Sequence, residues 1–512
     1  MRTHSAVKNI MTSTLLSVVT ITISFVAQRI FVQCLNTEYL GINGLFVNII
    51  SMLGIVEMGF GAAIIYHLYK PMSDLYKSRI KSLIAFYKKG YRVIAIVVAI
   101  IGLLIMPFLG MIVGKVNIPE SIYIIYLLFL MDVVCSYLLV YKRSILYADQ
   151  KNYIINFVHI GYIFVMNGLQ IAMLLLTGNY YLYLTVKVIM RVIENLVITA
   201  IVNKRYPFLN NGETLPVDDD TKKDVIKKIK ALFMHKIGAF VVLGSDNIVI
   251  SMFLGIKTVG LYSNYYLVIS AVLNIVGQAF TAITASIGNL LVADNHKKSF
   301  DIYKKVRFAN FWLASIAVIG FIVAMDSFVM IWLGDKYVLP IGVLLALGVN
   351  LYLQLMRSVT NSFKEAAGIF HEDRFVPIAE SIVNIVFSII FLQFFGLAGV
   401  FMGTICSNLV LHLFSYPKFV YTRLFKRSYL DYYIEFVKYL VLAFIAGAVT
   451  FVISRAVVVD SMFVHFVINV ALSVAIPSTI FYIIYRKSDE FIYFKNLIIK
   501  IFTKVTSRKY MK

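Results

Sequence analysis

Apolar runs long enough to cross a bilayer recur from Asn9 to Tyr485, separated by short polar joints. A hydrocarbon core about 30 Å thick needs roughly 20 predominantly apolar residues per helix. A window of that length predicts helices over 9–33, 41–66, 90–114, 119–147, 153–178, 180–202, 231–254, 259–293, 307–332, 337–363, 374–395, 397–421, 435–457 and 461–485. The expected fold class is all-α, a polytopic membrane protein of about fourteen transmembrane helices. The first run, Ile10 to Ala27, follows Arg2 and Lys8 as a secretory signal would. It is too long, has no small-residue cleavage site and flows into further apolar sequence, so it reads as a retained helix.

The longest joint holds Pro207, Asn210-Asn211-Gly212, Pro216 and the acidic run Asp218-Asp219-Asp220, followed by a Lys-rich amphipathic stretch. It divides the chain into an N-terminal six-helix bundle (1–202), a cytoplasmic linker (203–230), a second six-helix bundle (231–421), two additional transmembrane helices (422–485) and a basic cytoplasmic tail (486–512). The second bundle reads as a repeat of the first. At one constant offset Leu35, Gly41, Ile50 and Ser51 fall on Leu254, Gly260, Ile269 and Ser270, and at a slightly larger one Lys142, Ile160 and Ile163 fall on Lys364, Ile382 and Ile385. The expected architecture is therefore two six-helix bundles around a central cavity, one rocking against the other.

Composition agrees with the pattern. The chain is 60% hydrophobic and 14% charged, against roughly 25% charged in soluble domains, which excludes a water-soluble core. Its net charge of +22 would suggest a nucleic-acid partner in a soluble protein, but placement decides otherwise. With residue 1 in the cytoplasm, the joints on that side hold nearly all Lys and Arg outside the spans, and only Lys115, Lys257, Lys336 and, at the end of its span, Arg455 fall on the outer side. That asymmetry is the positive-inside rule, and it places both termini in the cytoplasm. The basic segments serve orientation and attraction to anionic lipid. Cys34, Cys135 and Cys406 show neither disulfide nor zinc spacing. No metal cluster, cofactor motif or phosphate-cradling glycine loop is expected.

Candidate chemistry lies within the spans. In the first helix Ser13, Ser17, Thr20, Ser24 and Gln28 share a face that ends beside Arg29, and in the eighth Tyr266, Ser270, Asn274, Gln278 and Thr281 do the same. Such stripes either pack helices closely or line a polar cavity. Ionisable groups at membrane depth are costly, so they mark an aqueous cavity or a pairing. Here they are Arg29, Glu57, Asp132, Lys187, Arg191, Glu194, Asp246, Asp326 and Glu380. Lys187, Arg191 and Glu194 lie on one helical face and leave a surplus of positive charge suited to a diphosphate; the alternative for Lys187 is snorkelling to the interface. Asp246 shares a face with His235 and either binds a coupling cation or proton or is paired structurally. Glu57, between Gly54, Gly59 and Gly61, is a hinge, a helix contact or a coupling site, and Glu380 is a further coupling or gating candidate.

The segments Glu38-Tyr39-Leu40-Gly41-Ile42-Asn43-Gly44-Leu45-Phe46, Glu57-Met58-Gly59-Phe60-Gly61-Ala62-Ala63-Ile64-Ile65-Tyr66 and Tyr69-Lys70-Pro71 carry a family likeness. So do Phe86-Tyr87-Lys88-Lys89, Phe363-Lys364-Glu365-Ala366-Ala367-Gly368, Glu372-Asp373-Arg374-Phe375 and Gly399-Val400-Phe401-Met402-Gly403-Thr404-Ile405. They resemble the bacterial polysaccharide flippases, which move lipid-linked repeat units of O-antigen, capsule or exopolysaccharide across the cytoplasmic membrane. The resemblance implies the superfamily that also holds the multidrug and toxin extruders, with two inverted V-shaped halves and a cation-driven alternating-access cycle.

It also implies a non-enzymatic flippase in the bacterial inner membrane. Its partners would be a polyprenyl-diphosphate-linked oligosaccharide, membrane lipids and other polysaccharide assembly proteins, with no nucleic acid. Arg29, Lys187 and Arg191 are the positions that match the family's cavity cations, with Gln28, Asn274 and Gln278 as further cavity candidates. These families vary their cavity charges freely. The rivals are a cation-coupled extruder of similar fold, which would need an apolar, acidic pocket, and a membrane polysaccharide polymerase or glycosyltransferase, which would need a large catalytic loop where this chain has short joints.

Overall fold

The computed structural model describes residues 2–57, 60–210, 216–292, 296–369 and 375–509. Gly59, the Asn211-Gly212 step and the Glu372-Asp373-Arg374 motif lie outside them, as do the side chains of His235 and Thr281. Among the described residues the chain is helical, and it packs as two compact units, Met1–Ala271 and Val272–Lys512. The first holds α1 (Arg2–Cys34), α2 (Thr37–Leu53), α3 (Phe60–Ser73), α4 (Lys77–Ile105), α5 (Leu109–Val113), α6 (Ile122–Leu138), α7 (Arg143–Ala148), α8 (Asn152–Thr177), α9 (Tyr180–Arg205), α10 (Asp219–Leu254) and the beginning of α11 (Ile256–Val292). The second holds the rest of α11, then α12 (His296–Trp332), α13 (Ile341–Ala366), α14 (Val376–Phe395), α15 (Leu397–Val410), α16 (Tyr429–Ala456), α17 (Met462–Tyr485) and α18 (Asp489–Lys509).

Among the described residues each of the fourteen expected spans is occupied by helix, and eleven helical segments are long and apolar enough to cross a membrane by length and composition. Two of the other three have local reasons to fall short: the second span is broken by a 3₁₀ turn over Gly54–Glu57, and α9 carries Lys187, Arg191 and Glu194 in its middle. The boundaries differ where helices leave the bilayer. α4, α10 and α12 start well before the apolar windows, at Lys77, Asp219 and His296, because polar, basic turns continue the backbone ladder without adding hydropathy. α10 therefore begins inside the expected linker, capped by Asp218, whose carboxylate accepts the Thr221 N–H at 2.9 Å and pairs with Arg79. The Thr221 bonds, followed by Arg79, hold the Asp218 carboxyl well below its ordinary range.

Breaks within spans follow the chemistry. Pro107 lies in a 3₁₀ turn, Met106–Phe108, between α4 and α5. After α15 the chain continues as a wider π-helix over Leu411–Leu424 that contains Pro417.

Within the first unit, α2 and the start of α11 cross at backbone distance. A methyl group added at Gly41 would overlap the Ile256 carbonyl, one added at Gly260 would overlap the Thr37 carbonyl, and one at Gly44 would collide with the Ser263 hydroxyl. The offset that pairs Gly41 with Gly260 in the sequence also pairs Thr37 with Ile256, Gly44 with Ser263 and Glu38 with Lys257. Equivalent residues therefore meet each other reciprocally, as in a contact about a two-fold axis. Glu38 closes the crossing by holding Lys257 at 3.2 Å and the Asn117 N–H at 2.6 Å.

The second unit packs similarly. Methyl groups at Gly399 and Gly403 would strike the backbone of α14 at Phe391 and Ser388. Asn310 donates to the Leu355 carbonyl at 2.9 Å, and Asn469 to the Val323 carbonyl at 3.2 Å. Without a hydrophobic drive between helices inside lipid, close backbone approach and interhelical hydrogen bonds supply the cohesion.

Gly41→Ala is expected to destabilise the protein by about 1–3 kcal/mol through overpacking against backbone that cannot yield. Gly168→Ala, in α8 where nothing lies within 4 Å of the added carbon, is expected to leave stability unchanged or slightly raised. Thermal unfolding of the two variants in detergent checks this.

Candidate functional site

The exposed sequence signal for a site was the charged face of α9, and the structure shows what it faces. Asn179 caps the helix by accepting the Leu182 N–H, and the helical spacing then projects Lys187, Arg191 and Glu194 toward α6, α7 and α8. Asp132 of α6 accepts from Arg191 Nε at 3.2 Å and lies 3.5 Å from Lys187 Nζ. Glu194 accepts from Arg191 Nη1 at 3.1 Å, lies 3.3 Å from Arg143 of α7 and is bonded to His159 Nδ1 of α8 at 2.8 Å. Asn195, one residue on, accepts from Arg143 at 2.8 Å and donates to the Cys135 carbonyl at 3.0 Å.

The burial is polarised. The Glu194 side chain is fully enclosed and that of Asp132 is 10% exposed, whereas Arg143, Arg191, Lys187 and His159 retain 17%, 21%, 24% and 31%. Three fixed cations and a histidine thus surround two carboxylates, and the carboxylates are more deeply buried than the cations. Aromatic rings pack against the cations. The Arg191 guanidinium sits 5.0 Å from the Tyr162 ring, which His159 stacks upon, and Lys187 Nζ lies 4.8 Å from the Phe129 ring. Lys187 is thus turned toward Asp132 and Phe129. Such an assembly holds two planar donor forks, a flexible ammonium and a ring donor, while its own carboxylates offset the repulsion among three cations.

The other candidates are distributed elsewhere. Gln28 donates to Asn264 of α11 at 2.9 Å, and Arg29 is exposed on α1 and, among the described residues, makes no bond to the cluster. Along the polar stripe of α1, Ser13 accepts from Asn156 of α8 at 3.0 Å, and Ser17 and Thr20 bond back to their own helix. Asn274 and Gln278 are exposed on the part of α11 that belongs to the second unit. Glu57 sits in the 3₁₀ break of the second span and accepts from the Tyr91 hydroxyl at 3.2 Å. Asp246 is half-buried on α10. Asp326 lies 3.7 Å from Arg455.

Glu380, in the second unit, is paired with Arg357 at 3.0 Å, and Arg357 also donates to Asn408, which donates to Asn350. A second arginine there, Arg307, is enclosed by Tyr303, Tyr421, Tyr432 and Tyr439 and bonded to Glu435 at 2.8 Å. Sequence reasoning missed Arg143, His159, Arg307 and Arg357. Arg143 and Arg307 stand at the ends of apolar windows and read as joint charges, while Arg357 and His159 have their partners on other helices. Polar residues on the apolar face of a predicted span were the only available signal.

No family model describes this chain, and no curated relative matches it. Solved structures share its fold. Lipid II flippase MurJ in its inward closed conformation matches over 92% of this chain and 99% of its own, with a TM-score of 0.64 at 14% identity. An inward-facing multidrug resistance MATE family transporter of the MOP superfamily matches over 76% of this chain and 91% of its own, with a TM-score of 0.60 at 15% identity. MATE in complex with MaD3S matches over 80% and 93%, with a TM-score of 0.52 at 15% identity. At these identities the likeness is one of fold, and it makes the chain a multi-pass membrane protein with a MATE- and MurJ-like helical architecture.

Removing Glu194 would strip three donors of their shared, fully enclosed acceptor. Glu194→Gln is expected to cost about 3–5 kcal/mol, the range for breaking a buried ion pair. Adding Arg143→Gln to it is expected to cost less than the sum of the single changes. Unfolding of the two single variants and the double variant in detergent measures the coupling.

Proposed function

We propose that this chain is a non-enzymatic flippase that moves a polyprenyl-diphosphate-linked oligosaccharide across a bacterial cytoplasmic membrane for surface polysaccharide synthesis. The observation that carries the reading is the polarised cluster of α6 to α9, in which Asp132 and Glu194 are deeply buried and Arg143, Lys187, Arg191 and His159 around them are more exposed. A diphosphate is the kind of group these donors fit. The fold supports the same reading, since the lipid II flippase structure accounts for 92% of the chain and the multidrug transporter structures for less.

In this proposal two six-helix bundles alternate access with both termini in the cytoplasm. The sugar head and diphosphate pass through the polar interior, aided by Arg29, Gln28, Asn274 and Gln278, while the polyprenyl tail stays in lipid. Glu57, Asp246 and Glu380 are the carboxylates offered for ion coupling or gating. The cargo drives the cycle only through its differential affinity for the two states.

The test is translocation in proteoliposomes, using a fluorescent lipid-linked oligosaccharide and an impermeant quencher that reports the leaflet of the head. Protein-dependent translocation is expected to respond to an imposed ion gradient. Lys187→Gln and Arg191→Gln, at normal insertion and yield, are expected to slow it on the order of 10- to 100-fold, equivalent to losing charge-assisted hydrogen bonds of about 1.5–3 kcal/mol. Transport of cationic dyes with no head-group translocation would replace this reading with that of an extruder.

A further inference from the structure

Among the described residues Lys142 is a buried cation whose bonds go to no carboxylate. It ends the 3₁₀ turn Val140–Lys142 between α6 and α7, is 7% exposed, and donates to the side-chain oxygens of Asn203 and, at 3.5 Å, Asn210. Both acceptors are neutral amides. The preceding residue, Tyr141, is also buried, and its ring centroid lies 6.0 Å from Lys142 Nζ and 6.0 Å from Lys88 Nζ of α4. Arg92 follows Lys88 by four residues on the same face of α4, and its charge reaches Tyr141 as that of Lys88 reaches Lys142. Three cations thus gather at one tyrosine. Among the described residues none of the three is paired with a carboxylate, and the Tyr141 hydroxyl has no hydrogen-bond partner.

The repeat shows what is missing. The offset that places Lys142 on Lys364 places Val158 on Glu380, and the charge of Lys364, itself buried, reaches Glu380 within the second unit. The first unit has an apolar residue where the second has the carboxylate. Nor does the α6 to α9 cluster supply one. Arg143, one residue on, turns to Glu194 and Asn195, whereas Lys142 meets Asn203, about 12 Å further along the axis of α9. Snorkelling leaves the arrangement unexplained, because a snorkelling lysine takes its charge to water and this one is enclosed. At mid-depth such a charge needs an internal partner. Here the position near the end of the span Ile122–Ala148, with Lys88 and Arg92 exposed beside it, lets the partner come from outside.

We infer that Lys88, Arg92 and Lys142, with the Tyr141 hydroxyl, bind a phosphoryl anion at the membrane surface where α4 starts and α6 ends. A tetrahedral phosphoryl group carries several acceptor oxygens, which suits a guanidinium fork, two ammonium groups and a phenol at one place. The exposed Lys88 and Arg92 admit it, and the buried Lys142 gains the counterion that its burial demands. Its source is a phospholipid head group or free phosphate. The inference needs only the multi-pass membrane fold and stands whatever the cargo.

The test measures the thermal unfolding midpoint of the full-length protein in two arms. One is neutral detergent with inorganic phosphate, against sodium chloride of equal ionic strength; the other is nanodiscs of phosphatidylcholine with increasing phosphatidylglycerol. A ligand that binds only the folded protein raises the midpoint saturably. K88Q/R92Q is expected to raise the concentration giving half of that rise at least about tenfold, through loss of charge-assisted contacts. K223Q/K227Q, which removes two exposed lysines of α10, is expected to leave it unchanged. A rise with phosphate shows that the free anion suffices, and a rise with phosphatidylglycerol alone assigns the site to a head group. The unsubstituted protein supplies a second reading that needs no variant: acylation of Lys88, followed by peptide mass spectrometry, is expected to slow relative to that of Lys223 under the same conditions. No saturable rise in either arm, an equal half-point in K88Q/R92Q, an equal loss in K223Q/K227Q, or Lys88 acylation that neither ligand slows would each overturn the site.

Discussion

A charge held at bilayer depth must find its counterion inside the protein, and the internal order of this molecule follows from that constraint. An isolated ion there costs about 2.5–3.5 kcal/mol even on insertion scales. In the first unit Asp132 and Glu194 are each shared by two or more cations, and this sharing ties α6, α7, α8 and α9 into one body. In the second unit the same requirement is met by different chemistry. Arg357 is shared between Glu380 and Asn408, and Arg307 rests among tyrosine rings that disperse its charge before Glu435 receives it. Removing a carboxylate takes a counterion from every cation it serves, whereas removing one cation leaves Asp132 or Glu194 at least one other partner.

Sharing also bears on ligand binding. Each donor in the α6 to α9 cluster already has an internal acceptor, so under the proposed function a phosphate arriving there would compete with Asp132 and Glu194 and would not fill an empty site, and that competition would moderate its binding. The same internal acceptors explain why a cation-rich interior can fold at all, since the surplus is one fixed charge and not three.

The second organising principle is backbone proximity. Gly41 and Gly260 let α2 and α11 approach until each glycine lies against a carbonyl of the other helix, and the reciprocal contacts join residues equivalent in the sequence repeat. The Glu38 to Lys257 pair, at equivalent positions with opposite charge, gives the crossing a polar closure that two like residues could not supply. Breaks at Gly54–Glu57, Met106–Phe108 and Leu411–Leu424 occur where glycine, proline or wide turns loosen the helical ladder, and they divide spans that hydropathy alone reads as continuous.

Span positions were legible in the sequence because hydropathy over about 20 residues is a local property and the bilayer sets its length scale. The shared face of Lys187, Arg191 and Glu194 was legible too, because helical periodicity alone places residues four and three apart on one side. Helix starts at Lys77, Asp219 and His296 were not, since polar helical turns look like joints to a hydropathy window. Nor was the α18 helix, which occupies the segment expected as a basic tail, where charge lowers the hydropathy. The partners of the buried charges were decided only by the tertiary structure. Arg143, His159 and Arg357 acquire their roles from carboxylates on other helices, and Asp132 is met from α9 across 59 residues of chain. Pairing depends on which helix faces lie against each other, and that is settled by packing and desolvation over the whole bundle, quantities that no local window of sequence contains.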